Sequence, residues 1–157
     1  MQAILHSRIF RAIKAYASHP WPYRGAGILF CVKKSADYSI LLGQRRGSGV
    51  WSIPGGGRHA DDEDSWATAA RETNEEFGSV PTPYQQRFSV TYPFGILGFH
   101  WKTFVIELDD APDQQCFPNR MARDFSKEFR QAAWFPIRAL PKKTHWLLYP
   151  AIWRLPR

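Results

Sequence analysis

Two cysteines, two methionines and one acidic residue in the first fifty positions mark what this 157-residue chain does largely without. Cys31 and Cys116 stand far apart, outside any metal-ligand spacing, so a zinc knuckle and a disulfide framework are excluded and reduced thiols are expected. No run is long and apolar enough to span a bilayer. The longest uncharged stretch, 88–101, is interrupted by Pro93, Gly95 and Gly98. A secretory leader's continuous apolar segment is also missing, because His6, Ser7, Arg8 and Arg11 break it up, and a cytoplasmic location is expected. No internal repeat or low-complexity tract occurs, which excludes a repeat array.

What is present reads as one globular domain: 44% of residues are hydrophobic and 22% charged. Twenty-four aromatics, seven of them Trp, supply a core and leave flat faces on which a base can stack. The net charge of +7 is unevenly spread. Residues 1–50 hold eight Lys/Arg against a single acid, Asp37, whereas residues 61–76 hold seven of the fourteen acids. A basic surface attracts polyanions and an acidic cluster attracts a divalent cation. Together they point to a phosphate substrate carried with Mg²⁺.

Apolar residues at Ile4, Leu5, Ile9, Phe10, Ile13 and Tyr16, with Arg8, Arg11 and Lys14 between them, predict an amphipathic helix over 3–17. It is expected to dock on its own domain or a partner chain, and His19-Pro-Trp-Pro ends it. Residues 1–23 are therefore taken as a helical extension and 24–157 as the main domain. Strands are predicted over 27–32 and 39–43, joined as a hairpin, and over 87–92, 99–108 and 129–135. Between them Gly55-Gly56-Gly57 forms an abrupt loop. Asp64 or Ser65 can cap a helix over 66–77 that Gly78 stops. Residues 109–127 read as a surface loop and 147–153 as a short terminal helix disturbed by Pro150. Strands flanked by helices on both sides predict an α/β fold, a sandwich around a mixed sheet.

From Gly57 the chain reads GRHADDEDSWATAARETNEEFGS. This resembles the Nudix box, G-x(5)-E-x(7)-R-E-U-x-E-E-x-G-U, with U a bulky aliphatic residue. Gly57, Glu63, Arg71, Glu72, Glu75, Glu76 and Gly78 all fall at the required spacings. Seven such matches arise by chance at about one in 10⁸ per starting position, given ordinary residue frequencies. Thr73 and Ser79 depart from the pattern, standing where the family has bulky aliphatics, which bears on packing of the helix rather than on its ligands. Helical geometry supports the motif independently. At about 100° per residue, Glu72, Glu75 and Glu76 share an arc of roughly 100° on one face. Like charges so placed repel one another unless a cation joins them.

The resemblance to MutT-like Nudix hydrolases implies an α/β/α sandwich that cuts a pyrophosphate bond in a nucleoside diphosphate-linked substrate with Mg²⁺, Mn²⁺ serving in its place. It implies a metal shell of the Gly56 carbonyl with Glu72, Glu75 and Glu76, and structural roles for Gly57, Glu63, Arg71 and Gly78. Arg71 would brace the helix acids. The catalytic set is Glu75, Glu76 and Glu128. Glu128, six residues before Trp134, is the candidate general base, and Glu75 is the next choice. Arg45, with Arg46 beside it after the Leu41-Leu42 strand, stands where the family places a phosphate-facing arginine. The five histidines lack ligand spacing and receive no metal role.

Three substrates stay open: a nucleoside triphosphate first, then an ADP-ribose-type nucleotide sugar, then capped or triphosphorylated RNA, for which no RNA-binding module is visible. A different class, a nucleotide-binding Nudix domain without catalysis, is weighed against retention of all three helix glutamates, which favours the enzyme. A homodimer also stays open.

Overall fold

The computed structural model describes residues 22–35, 37–92, 98–112 and 117–156. The amphipathic helix expected over 3–17 lies outside the described residues, as does Cys116.

The apolar run that suggested a strand at 27–32 extends further, forming β1 (Tyr23–Lys34). The strand gains residues 23–26 before the predicted start and 33–34 beyond the predicted end. A side chain at Gly27 would meet the Pro54 carbonyl at 2.6 Å, so the bare position lets another strand approach. β1 runs antiparallel to β2 (Asp37–Arg45) and to β4 (Gly55–Gly57), and parallel to β6 (Phe99–Leu108) from the Tyr23–Phe99 pair to Val32–Leu108. β3 (Trp51–Ser52) and β7 (Phe129–Pro136) pair with β2, and β5 (Tyr84–Tyr92) closes the far side against β6. The sheet is therefore mixed, with seven strands.

A central strand covered on both faces carries a continuous apolar run instead of an alternating one, and β1 does so. Leu29 and Cys31 enter one core cluster, while Ala26, Ile28, Phe30 and Val32 enter the other. On the second face lies α1 (Ser65–Glu76), which contributes Ala69 to the core, with Phe77 buried just beyond its end. On the first face lie a 3-10 turn (Trp146–Leu148) and α3 (Tyr149–Ile152), which contribute Leu147, Leu148, Ala151 and Ile152. The Tyr92 hydroxyl donates to the Leu147 carbonyl and ties this segment to β5.

α1 begins at Asp64, whose side chain accepts from Ala67 N–H, and ends where Gly78 takes φ +92, a conformation that favours glycine. At the unorthodox box position, Thr73 is fully buried. Its Oγ1 has no hydrogen-bond partner among the described residues. The stretch expected as a plain surface loop is docked where it is described: Phe117 and Phe125 are buried, Asn119 N–H donates to Phe77 O, and a short helix, α2 (Phe125–Glu128), leads into β7.

Candidate functional site: a carboxylate cluster beside an electropositive cavity

Gly55-Gly56-Gly57, expected as a loop, is instead the strand β4 paired with β1, and it meets α1 at one end of the sheet. Arg71, on the face of α1 turned to this strand, organises this meeting. Its Nε and Nη2 grip the two oxygens of Asp62 at 3.0 and 3.1 Å, Nη2 also reaches Gly57 O at 2.8 Å, and Nη1 reaches Glu72 at 2.8 Å and Glu75 at 3.5 Å. Asp62 is buried, also accepts His59 N–H, and is held well below the usual carboxylate range, chiefly by its bonds from Arg71. Arg71 in turn is raised further above its ordinary value by Asp62.

Asp62 was not singled out in the sequence. Its neighbour Glu63, expected to have a structural role, is exposed and offers its backbone carbonyl to Arg58 at 2.7 Å. The signal was present as a run of four acids, Asp61 to Asp64, but only the turn geometry selects the member that points inward.

The three helix glutamates occupy different surroundings. Glu76 is 4% exposed; it takes the Gly55 N–H at 2.8 Å and Arg45 Nη1 at 3.0 Å. Burial pushes its carboxyl up to about 7 against the pull of Arg45 and the Gly55 N–H. Burial likewise raises Glu72, opposed by Arg71. Glu75 lies nearer the surface, 2.8 Å from Arg123, and its backbone carbonyl accepts Asp124 N–H. Gly56 lies against Glu72: a Cβ there would fall 2.6 Å from the carboxylate, so a side chain at this point would displace it.

Arg45 links the cluster to the rest of the domain. Its Nη1 contacts Glu76 and also Glu128, at 2.6 Å; Nε donates to Ser52 Oγ at 3.0 Å, and the guanidinium lies 4.5 Å over the Phe129 ring. The β2–β7 register shifts between Gln44 and Arg45, a bulge of the kind that re-aims side chains at sites. Arg46 turns the other way, to Ser126 O at 2.8 Å. The structure thus brings Arg45, Glu76 and Glu128 together, with Glu72, Glu75 and Arg71 alongside.

Among the described residues, no three acidic, imidazole or thiol side chains converge as a finished cation cage. Each helix glutamate is engaged by an arginine instead. The donors nevertheless suit a hard divalent ion: clustered carboxylate oxygens, repelling one another, on a backbone kept bare at Gly56.

A cavity of about 1000 Å³ adjoins the cluster on the sheet face covered by the C-terminal segment. Arg45, Ser52 and Gly55 form its boundary with the carboxylates; Trp101, His145 and Trp146 are among its walls. His145 Nδ1 accepts Leu147 N–H at 3.3 Å, which leaves the ring proton on Nε2. Burial, reinforced by the Arg45 charge, lowers this imidazole to about 4. None of the C-terminal lining had been recognised in the sequence. The hint was Lys142-Lys143-Thr144-His145-Trp146, cations and aromatics together ahead of the last helix.

Several solved structures share the fold. An Ap4A hydrolase binary complex from C. elegans has a TM-score of 0.61 at 20% identity, covering 83% of this chain and 92% of that one. A MutT NUDIX hydrolase from Burkholderia pseudomallei has a TM-score of 0.58 at 20% identity, covering 85% and 97%. A Nudix hydrolase from M. smegmatis reaches 0.56 at 19% identity, covering 76% and 74%. No curated protein matches the sequence. The model of the NUDIX domain matches residues 21–153. With that span, and with the box placed on a helix against the glycine strand β4, the chain belongs to the NUDIX domain family and is a hydrolase of pyrophosphate bonds.

Proposed function

We propose that the chain is a Mg²⁺-dependent pyrophosphohydrolase of nucleoside triphosphates, releasing a nucleoside monophosphate and pyrophosphate. The observation that carries this reading is Arg45, one guanidinium touching Glu76 and Glu128 while lining the adjoining cavity. A phosphate chain running between the cavity and the acids must pass this cation.

Glu72, Glu75 and Glu76, with the Gly56 carbonyl, would hold the ion. When bound, Mg²⁺, or Mn²⁺ in its place, neutralises phosphate oxygens and makes phosphorus a better electrophile. Arg45 donates to a phosphate oxygen, kept flat by Phe129 beneath it. Arg71 keeps the loop and helix in register through Gly57 and Asp62. Glu128, 48% exposed at its side chain and within reach of the Arg45 phosphate position, takes the proton from the attacking water. Glu75 is the alternative base.

The test is a panel of nucleoside triphosphates, ADP-ribose and dinucleoside polyphosphates, scored for pyrophosphate and phosphate release with Mg²⁺ and with chelator. Triphosphates should be cut to pyrophosphate only when Mg²⁺ is present. Preferential cleavage of ADP-ribose, or hydrolysis undiminished in chelator, overturns the reading.

A further inference from the structure

The cavity has a charge imbalance that the carboxylate chemistry does not use. Lys142 and Lys143, both exposed, stand on its rim, Arg45 there is already paired with Glu76 and Glu128, and among the described residues no aspartate or glutamate lines it. Neither lysine has an ion-pair partner among the described residues. His145 adds a hydrogen-bond donor, and burial, which lowers its imidazole, keeps it from adding a charge near neutral pH. The two unpaired lysine charges raise the local concentration of anions and discriminate against cationic ligands.

The lysine segment is also fixed in place, as a binding point requires. Lys143 O accepts Trp51 N–H at 2.8 Å, His145 N–H donates to Trp51 O at 2.8 Å, and Thr144 bridges to Trp51 between them. Thr144 Oγ1 and N–H both turn back to Pro141 O, at 2.7 and 3.1 Å. The backbone bearing both cations is therefore tied to β3, whose Ser52 holds Arg45. Arg45 and the lysine pair thus stand on one braced frame around one cavity. Its volume of about 1000 Å³ lies at the upper end for small-ligand sites, room for a nucleoside together with an extended phosphate chain.

We infer that Lys142 and Lys143 form a second phosphate-binding point, separate from the carboxylate cluster, which selects substrates with three or more consecutive phosphates over diphosphate-linked sugars. The inference rests on the triphosphate reading above and assigns its specificity to residues outside the box. Arg45 faces the phosphates nearest the cleaved bond. The lysines face the part of the chain that a nucleoside diphosphate sugar replaces with neutral hydroxyls.

Two measurements on the full-length protein test it. The first is calorimetric binding of inorganic tripolyphosphate in chelator, comparing wild type with Lys142→Gln/Lys143→Gln. Affinity should fall at least about 30-fold, the size expected for losing two charge-assisted contacts. A Lys142→Arg/Lys143→Arg pair should restore it. Lys33→Gln/Lys34→Gln, which removes two exposed lysines at the end of β1, should leave it unchanged. An equal loss in that control means that only diffuse basic charge is involved, and overturns the proposal.

The second is steady-state kinetics on a nucleoside triphosphate and on ADP-ribose with Mg²⁺. The glutamine pair should raise KM for the triphosphate by a similar factor, alter kcat by less than about threefold, and shift ADP-ribose KM much less. Equal shifts for both substrates would place the lysines on the shared nucleoside and overturn it. Triphosphate turnover with an unshifted KM overturns the lysine assignment alone. Lysine-dependent tripolyphosphate binding in a protein that cuts no triphosphate overturns the reaction assigned above and leaves this binding point standing.

Discussion

Arg71 meets Asp62 through two parallel N–H···O bonds, at 3.0 and 3.1 Å, and so fastens the middle of the carboxylate helix to the loop preceding it. Breaking a largely buried pair strands its partner. Asp62→Ala should therefore cost about 2–3 kcal/mol, less than a fully buried pair because Arg71 is partly exposed. Glu63→Ala should cost under about 0.5 kcal/mol. Thermal melts of the two variants side by side measure the contrast; equal losses would show that Asp62 is not the brace. The same pair sets an acid limit. Asp62 titrates below its unfolded value, so its contribution is complete above that value and fades as pH falls through the lower, folded one.

Gly56 and Gly57 differ in what surrounds them. A Cβ at Gly56 would lie 2.6 Å from the Glu72 carboxylate, whereas one at Gly57 would meet Tyr23 at 3.6 Å, an ordinary contact. Gly56→Ala should raise the Mg²⁺ concentration needed for half-maximal turnover about tenfold or more, while Gly57→Ala stays within about threefold. Magnesium titrations of turnover decide it, and the reverse order would refute the geometry.

Ligand and base separate in a second pair. Glu76→Gln should raise the Mg²⁺ requirement and nearly abolish turnover, because Glu76 is buried at the centre of the cluster. Glu128→Gln should keep the Mg²⁺ requirement near wild type and slow turnover by about 10²–10⁴-fold. Full turnover in Glu128→Gln with loss in Glu75→Gln would put the base on the helix.

Thr73 is enclosed, and its hydroxyl has no hydrogen-bond partner among the described residues. Thr73→Val keeps the shape and removes the stranded polar group, so it should stabilise by about 1 kcal/mol, read as a rise in denaturant midpoint at constant slope. A fall would mean that the hydroxyl has a partner in solution.

His145 supplies a pH dependence in the other part of the site. Its folded value, about 4, lies below the ordinary 6.5, so the unfolded chain binds the extra proton between the two. Stability should fall as pH drops from about 6.5 to 4, by about 2 kcal/mol after allowance for partial exposure, and level off below. His145→Asn, whose Oδ1 can stand in for Nδ1 toward Leu147 N–H, should flatten that slope. An unchanged slope would assign it to another group.

The box and its helix were legible because their determinants are local. Asp64 caps, Gly78 stops, and seven residues at fixed intervals put the glutamates on one face of a regular repeat. Most of the strands could be read from the same kind of evidence, since apolar runs declare themselves. Residues 23–26 of β1 were missed because Gly25 is kept bare for the approaching β4, which no local pattern records.

The sequence by itself determined the family, the reaction class and the helix that bears the acids. Tertiary structure alone decided which of four consecutive acids meets Arg71, that Arg45 faces Glu76 and Glu128 while Arg46 turns away, and that Lys142 and Lys143 share a cavity with Arg45. The physical reason is separation along the chain. Arg45 and Glu128 lie 83 residues apart and meet only because β2 and β7 pair with a shifted register, a relationship set by packing across the whole sheet and carried by no interval in the sequence.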